Sequence, residues 1–401
     1  MREHQTMIRW FAVAGALALG GCAGQAMSGT PSNAGSGDPG SNPGNNNNPG
    51  TVDTSQLGQR QVNYNLALRT AAIKLVGDLP TLDEQHAVLV AGNQKMQYEK
   101  QIDAYLADPR FNEQLIGYFR NTFKMGGSLP VGNNMAVSLE TAPTFAAEVV
   151  AQNRPFGDVW TASNNTCPTY DSQSGQFTDA GCGNGAPSTA GVLTDPGVQA
   201  QFVSNMAFRR TRWVQETFDC RKFPTEYSTS PMPMGAGLYT SPWPFESITG
   251  GPMAAIDFHD TSSVVCANCH TTMNHIAPLF ANFDAKGMWQ STIQVTVPVK
   301  GLPKAKLTDW LPPNEATSWR FGIEVSDLTS LGQALSKDSE VEACVVVRAY
   351  DWVMSKDDVV LDLATVPDVV IAPYVQDYQQ NQMQLKKTIR TMFVSDDFVK
   401  F

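Results

Sequence analysis

Cys266-Ala267-Asn268-Cys269-His270 is the stretch of this chain that decides its fold. It has the pattern C-x-x-C-H, which attaches a c-type haem. Two thiols three residues apart fall on one side of a helical turn, where they can form thioethers with the two vinyl groups of the haem, and the next imidazole faces the iron. We therefore predict one covalent haem c, held by Cys266 and Cys269, with His270 as the proximal iron ligand.

Other chemistries also use a C-x-x-C pair. A structural zinc site needs further ligands, and the chain has no second C-x-x-C and no H-x-x-x-H. A thioredoxin-like pair follows a strand in a βαβ unit, and nothing around residue 266 predicts one. A disulfide or half of a zinc site stays as the alternative to haem.

The first residues predict export, which haem attachment requires because it happens outside the cytoplasm. Arg2 and Arg9 precede an apolar run at residues 10–19 that is too short to span a bilayer, so residues 1–21 are predicted to be a lipoprotein signal peptide. The run ends in Leu-Gly-Gly-Cys, which resembles a bacterial lipobox and implies lipidation of Cys22. Because Ala23 rather than Asp follows, we expect an outer-membrane lipoprotein, on the periplasmic face or at the cell surface. An ordinary signal peptide with an incidental cysteine is the alternative.

Composition divides the rest of the chain. Residues 22–54 consist mainly of Gly, Ser, Asn and Pro, which cannot build a core, so a flexible tether is predicted. We divide the body into an N-terminal helical domain (55–190), a haem-c-binding module (191–310) and a C-terminal helical domain (311–401). The predicted fold class is mainly α, with helical domains around a cytochrome c-like haem module and long irregular loops.

Helical patterning recurs through the body. A capping box, Thr81-Leu82-Asp83-Glu84, opens one helix. After Asp108-Pro109, another is marked by apolar residues at spacings of three and four, namely Phe111, Leu115, Ile116, Phe119 and Phe123. Further helices are predicted at residues 195–218, 328–335, 340–354 and 379–392.

The charge excludes one class of partner. The formal net charge is −10, and no cluster of Lys and Arg occurs. Nucleic-acid binding proteins carry basic patches or stripes, so we predict no nucleic-acid partner.

Four cysteines remain outside Cys22 and the haem motif, an even number that suits disulfides in an oxidising compartment. Three pairings are possible. We favour the one in which Cys167 pairs with Cys182 across a Gly/Ser/Asn-rich loop, and Cys220 with Cys344 across the haem motif. Free thiols are the alternative.

Residues 266–289 resemble the haem-c module of the planctomycete-type cytochrome family. The likeness is carried by the haem motif, Phe283-Asp284, Gly287 with Trp289 behind it, and His259 before the motif. Fainter likenesses to the helical domains of that family lie at residues 108–111, 191–196, 209–214, 327–335 and 395–398. The chain departs from the family at Asn274-His275, where Asp-Pro is usual. The resemblance implies a single haem c among helical domains.

The sixth iron ligand is the open choice within this site. His259 precedes the motif by a segment long enough to pass round the haem edge, and we favour it as the distal ligand. Met273 and His275 follow His270 so closely that they lie on the proximal side. The sulfur alternatives are Met232, Met234, Met253 and Met288. A site that is open or bound to water is the remaining choice.

The sequence thus favours a membrane-anchored mono-haem protein that transfers electrons and docks redox partner proteins near its haem. No Ser/His/Asp arrangement, phosphate-binding Gly loop or paired-carboxylate site stands out, so we assign no catalytic residue. One alternative is a haem enzyme whose open distal site takes peroxide or a small organic substrate. Another is a surface binding or assembly lipoprotein in which the haem is structural. Trp213 and Trp289 are predicted either to wall the haem or to pack in the core.

Overall fold

Helices make up most of the part of the chain that the computed structural model describes, residues 57–221, 272–297, 304–311, 314–320, 322–356 and 366–401. The predicted mainly α class is therefore confirmed. Residues Gln59–Phe401 form one compact unit. The signal peptide, Cys22, the tether, the C-x-x-C-H motif and His259 all lie outside the described residues.

The α-helices, numbered α1 to α13 in chain order, are Tyr64–Val76, Leu82–Val90, Gln94–Ala107, Arg110–Phe123, Thr141–Ala151, Asp158–Thr161, Pro196–Gln201, Phe208–Phe218, Leu328–Leu335, Ser339–Val353, Asp368–Gln380, Leu385–Val394 and Asp396–Val399. Residues 272–276 are helical as well. Two short antiparallel hairpins, which we did not predict, pair β1 (Ser128–Pro130) with β2 (Ala136–Ser138) and β3 (Thr169–Asp171) with β4 (Gln176–Thr178).

Two of the first four helices, α2 and α4, form as the sequence predicts. The capping box of α2 is present, with Glu84 N donating to Thr81 Oγ1 and Thr81 N to Glu84 Oε2. The five apolar residues that mark α4 are all buried. Each of its phenylalanines contributes about 2–3 kcal/mol by leaving water, so this stripe holds α4 against α1 and α5.

Two predicted helices are each broken into two. The helix predicted at residues 195–218 is divided into α7 and α8, because Met206 and Ala207 adopt left-handed φ values of 55° and 54°. Tertiary bonds hold the break: Met206 N donates to Thr296 O, and Trp310 Nε1 donates to Met206 O. The helix predicted at residues 379–392 is likewise divided into α11 and α12. Met383 lies at this second break with φ 57°, and its carbonyl accepts from Phe156 N.

One continuous core joins the segments that we separated by sequence. Buried residues from the N-terminal, middle and C-terminal parts belong to a single hydrophobic cluster. The ends of the body also meet, since Gln61 N donates to Phe401 O and Tyr98 OH to Phe393 O. The boundaries at residues 190 and 310 stay predictions. Within the described ranges, no helix has both the length and the apolar character that crossing a membrane needs.

Candidate functional site

The predicted haem-attachment residues are flanked by described chain on both sides. The structure describes the chain up to Arg221 and again from Thr272, two residues after His270. Cys266, Cys269, His270, and the distal candidates His259, Met232, Met234 and Met253 fall between these points and lie outside the described residues. The structure therefore describes the segments that end at Arg221 and begin at Thr272, on either side of the motif.

The chain that follows the motif runs directly into the core. Residues 272–276 are helical, and all five are buried. His275 Nε2 lies 3.4 Å from Glu315 Oε2, and the carbonyl of His275 accepts a hydrogen bond from Ser318 N. Met273 is buried too, at 8 % exposure. This stretch is therefore a fixed point from which the motif extends.

A buried arginine fixes the next segment. Arg210 on α8 is fully buried, and it donates to the carbonyls of Phe280 (2.8 Å), Phe283 (2.9 Å), Asp284 (2.9 Å) and, through Nη2, Gln199 (2.7 Å). Burial lowers the pKa of Arg210 to about 9, so the guanidinium still carries its charge at neutral pH. Its donors join the end of α7 to residues 280–284, and we call this set of bonds the arginine anchor.

The turn after the arginine anchor is held by backbone geometry. Asp284 Oδ1 accepts from Lys286 N (2.8 Å) and Met288 N (3.0 Å). Gly287 has φ +75°, and a Cβ there would lie 2.1 Å from the carbonyl oxygen of Pro196. Only glycine combines that φ with so close an approach. The turn therefore packs directly on the start of α7.

Replacing Gly287 by alanine is expected to lower the free energy of unfolding by about 2–5 kcal/mol, because the left-handed backbone and the clash with Pro196 both add cost. Gly322 is a matched control: its φ is +83°, but a Cβ there meets nothing within 4 Å. Gly322→Ala should cost only about 1–2 kcal/mol. Urea denaturation of both variants measures the difference, and equal losses would show that the close approach to Pro196 contributes nothing.

Both favoured disulfides are present. Cys167 pairs with Cys182 (S–S 1.99 Å), and Cys220 pairs with Cys344 (S–S 2.11 Å). The second joins the residue just beyond α8 to the middle of α10. Arg320 strengthens this junction by contacting Asp219 (2.9 Å) and Asp338 (2.6 Å), which lie beside α8 and α10. The last described residues before the motif are thus tied to α10 by covalent and ionic bonds.

Cys167, Cys182 and Asp195 also lie close enough to suggest a metal site, with their ligand atoms all within 4.8 Å of one another. The disulfide removes both thiolates, which are the form that binds metal. Asp195 is already occupied as well: Oδ1 accepts from Val198 N as the N-cap of α7, and Oδ2 accepts from Thr141 Oγ1. This cluster is structural.

Beside this loop, Glu148 on α5 is buried at 2 % exposure. Burial first, and then the neighbouring carboxylate of Asp179, raise the pKa of Glu148 to about 7, although the charge of Arg154 acts in the opposite direction. Gln152 Nε2 donates to Glu148 Oε1 at 3.1 Å. Asp179 lies within the loop that the Cys167–Cys182 disulfide closes, so a proton on Glu148 relieves the repulsion between α5 and that loop.

Glu148 is expected to make the protein less stable as pH rises from 4.5 to about 7. These limits are the ordinary pKa of a glutamate and the pKa of Glu148 in the folded protein. Within this window the folded state binds more protons at Glu148 than the unfolded state does, and folding therefore favours the lower pH. Glu148→Gln has no proton to lose at this position. We therefore expect the stability of this variant, relative to the wild type, to be higher at pH 7.5 than at pH 4.5 by about 3 kcal/mol. Glu113→Gln, on the exposed face of α4, is the control and should follow the wild-type profile. Urea midpoints across pH measure the effect, and parallel profiles for wild type and Glu148→Gln would refute it.

Three sequence-predicted neighbours of the haem have clear positions. Trp213 packs in the core among Phe123, Phe202 and Phe218, and its Nε1 donates to Phe123 O. Met288 is exposed at 37 %. Trp289 is half-buried, and its backbone N donates to Asn184 O. Of the two tryptophans, Trp213 is therefore a core residue.

The sequence prediction did not include Arg210, although a signal for it exists. It lies three, four and eight residues before Trp213, Val214 and Phe218, which places it on the buried face of α8. An arginine on such a face must find partners for its donors inside the protein.

No family model matches the chain, and neither a curated protein nor a solved structure does.

Proposed function

We propose that this protein is a membrane-anchored, exported mono-haem c-type cytochrome that transfers electrons in the periplasm or at the cell surface. The observation that carries the proposal is the C-x-x-C-H motif at residues 266–270. The sorting of the other cysteines supports it. The four cysteines that the structure describes are paired with one another, so none of them is available to Cys266 or Cys269.

The two disulfides also support the proposed compartment. Disulfides persist in oxidising environments outside the cytoplasm, which is where haem c is attached. That setting agrees with the signal peptide at residues 1–21 and with lipidation of Cys22, both of which we propose from sequence. The likeness of residues 266–289 to planctomycete-type cytochromes is part of the same proposal. The close-packed turn at Gly287 and the hydrogen bonds to Asp284 supply a structural reason for two of the residues that carry it.

Two buried polar side chains without partners among the described residues suit a cofactor with polar substituents. Gln215 on α8 is fully buried, and neither side-chain atom has a hydrogen-bond partner in the described part of the protein. It lies five residues after Arg210, about 7.5 Å along the helix axis, and α8 packs on residues 277–280. Trp160 Nε1 is a second buried donor without a partner among the described residues. An unmatched buried amide costs free energy, and we propose that Gln215 donates to a haem propionate.

In this proposal the protein attaches the haem, orients it and shields it from water. Cys266 and Cys269 hold the haem, His270 ligates the iron, and His259 is the proposed distal ligand. The haem supplies the one-electron couple when bound. The buried residues 272–276, which begin two residues after His270, join the proposed ligand to the core. The arginine anchor keeps the following segment in place, and redox partner proteins dock where the haem edge reaches the surface.

Optical spectra of the full chain, produced together with c-haem maturation, test the proposal. We expect a covalently bound haem whose sharp reduced α-band does not change under carbon monoxide, since six-coordinate iron leaves no free position. A spectrum that shifts with carbon monoxide would instead favour the haem enzyme with an open distal site. Loss of the haem in Cys266→Ser/Cys269→Ser, with retention in Cys167→Ser/Cys182→Ser, would assign the attachment. A wild-type chain without covalent haem would overturn the proposal.

A further inference from the structure

Exposed apolar side chains concentrate on the first helices of the body. Of the fourteen large hydrophobic residues exposed in the described chain, eight lie between Val62 and Met96. They include Leu82 at 83 % exposure, Leu89 at 58 % and Ile73 at 51 %. Single exposed hydrophobics are ordinary, but a concentrated group marks a contact surface.

Five of these side chains lie in two lines, one along α1 and one along α2. Leu66 and Ile73 lie seven residues apart on one face of α1, and Val62, just before this helix, lines the same groove. Leu82 and Leu89 lie seven residues apart on one face of α2. A surface groove of about 460 Å³ lies between the two helices and is lined by residues of both, among them Leu66 and Leu89. The groove joins the first turn of α1 to the last turn of α2, so the helices run antiparallel and Leu82 lies towards Ile73. We call these five residues the α1–α2 face.

The polar groups on the α1–α2 face favour one kind of partner. Arg69 lies on the same line as Leu66 and Ile73 and lines the groove. His86 lies on the line between Leu82 and Leu89. No carboxylate lies on either line, although Asp83 and Glu84 flank the α2 line. Leucine and isoleucine beside an arginine match the boundary between acyl chains and phosphate headgroups of a phospholipid layer.

The position of the face in the chain identifies the layer. The described structure begins at Leu57, five residues before Val62. Only 34 residues separate it from Cys22, and these reach at most about 120 Å when fully extended. If Cys22 is lipidated, as the proposed function has it, the anchor keeps this face close to the membrane that holds it, which makes even a weak contact effective. A second copy of the chain fits less well, because neither line of the face offers a carboxylate to pair with Arg69 of that copy.

We infer that the α1–α2 face lies against the phospholipid surface to which the lipidated N-terminus anchors the protein. The contact orients the body on the membrane, with α1 and α2 beneath it. This inference uses the lipidation of Cys22 from the proposed function, but it does not depend on haem.

Vesicle binding without the lipid anchor tests the face itself. The probe is the mature chain, residues 22–401 with Cys22→Ser, mixed with phosphatidylcholine vesicles. We expect weak but measurable flotation with the vesicles, reduced about tenfold by Leu66→Ser/Leu89→Ser because two apolar side chains no longer leave water. Leu307→Ser/Ile323→Ser is the matched control, since these residues are exposed to a similar degree, 56 % and 44 %. Equal flotation of both double variants would overturn the inference.

Hydroxyl-radical footprinting of the lipidated chain on the same vesicles tests the orientation. Labelling of Leu66, Leu82 and Leu89 should fall several-fold relative to the Cys22→Ser chain in solution, while labelling of Leu307 and Ile323 should stay unchanged. Protection that appears without vesicles and grows with protein concentration would instead assign the face to a second copy of the chain. Because neither assay reads the haem, their outcomes stand apart from those of the optical spectra.

Discussion

Arg210→Met is expected to lower the free energy of unfolding by about 3–5 kcal/mol, because the buried side chain that donates to four backbone carbonyls is lost. Methionine fills much of the same volume but donates nothing, so the carbonyls of Gln199, Phe280, Phe283 and Asp284 lose their charged donor. Water cannot replace it, since the site is fully buried. Equilibrium urea unfolding of the variant and the wild type measures this loss.

The neighbouring arginine provides the control. Arg209 is exposed, and within the described residues its side chain makes one long contact, 3.5 Å to Val203 O. Arg209→Met should therefore change the free energy of unfolding by no more than about 0.5 kcal/mol. If the two variants unfold alike, the arginine anchor does not hold residues 280–284. The apolar contacts of Phe280 and Phe283 must then fix this segment.

Local signals predicted local structure well. The capping box at Thr81 and the apolar spacing from Phe111 to Phe123 identified α2 and α4, because each signal depends only on residues within a few turns. The two helix breaks could not be predicted in this way. Met206 and Met383 are unremarkable helix residues whose left-handed φ is held by partners far along the chain, Trp310 and Phe156.

The site shows the same division. The C-x-x-C-H motif is a local pattern, and the haem ligands that we propose are read directly from it. The even number of remaining cysteines led to the pairing that the structure has. Arg210, by contrast, acts on carbonyls some seventy residues away, and backbone carbonyls carry no sequence signature. Its place on the buried face of α8 is the one clue that the sequence offers. The distal ligand stays a prediction.

Removing the Cys220–Cys344 disulfide is expected to have the largest effect on stability. This bond closes a loop between residues 124 apart in sequence, whereas Cys167 and Cys182 are 15 apart. A longer closed loop restricts the unfolded chain more, so we expect Cys220→Ser/Cys344→Ser to lose about 5 kcal/mol and Cys167→Ser/Cys182→Ser about 3 kcal/mol. Replacing both members of a pair leaves no new free thiol to compete with Cys266 and Cys269. Urea unfolding under non-reducing conditions measures both losses.

The order of these two losses shows which effect of a disulfide stabilises this protein more: packing around the bond in the folded state, or restriction of the unfolded chain. The Cys167–Cys182 bond lies against buried Asp195, with Cys167 Sγ 3.4 Å from its carboxylate. If packing in the folded state dominates, Cys167→Ser/Cys182→Ser will therefore be the less stable variant. If restriction of the unfolded chain dominates, Cys220→Ser/Cys344→Ser will instead be the less stable variant. That outcome also bears on the proposed haem attachment, because residues 266–270 lie between Cys220 and Cys344 in the sequence. With Cys220 released from α10, the segment before the motif has one tether fewer, and the yield of covalent haem should fall in that variant while the Cys167→Ser/Cys182→Ser chain retains it.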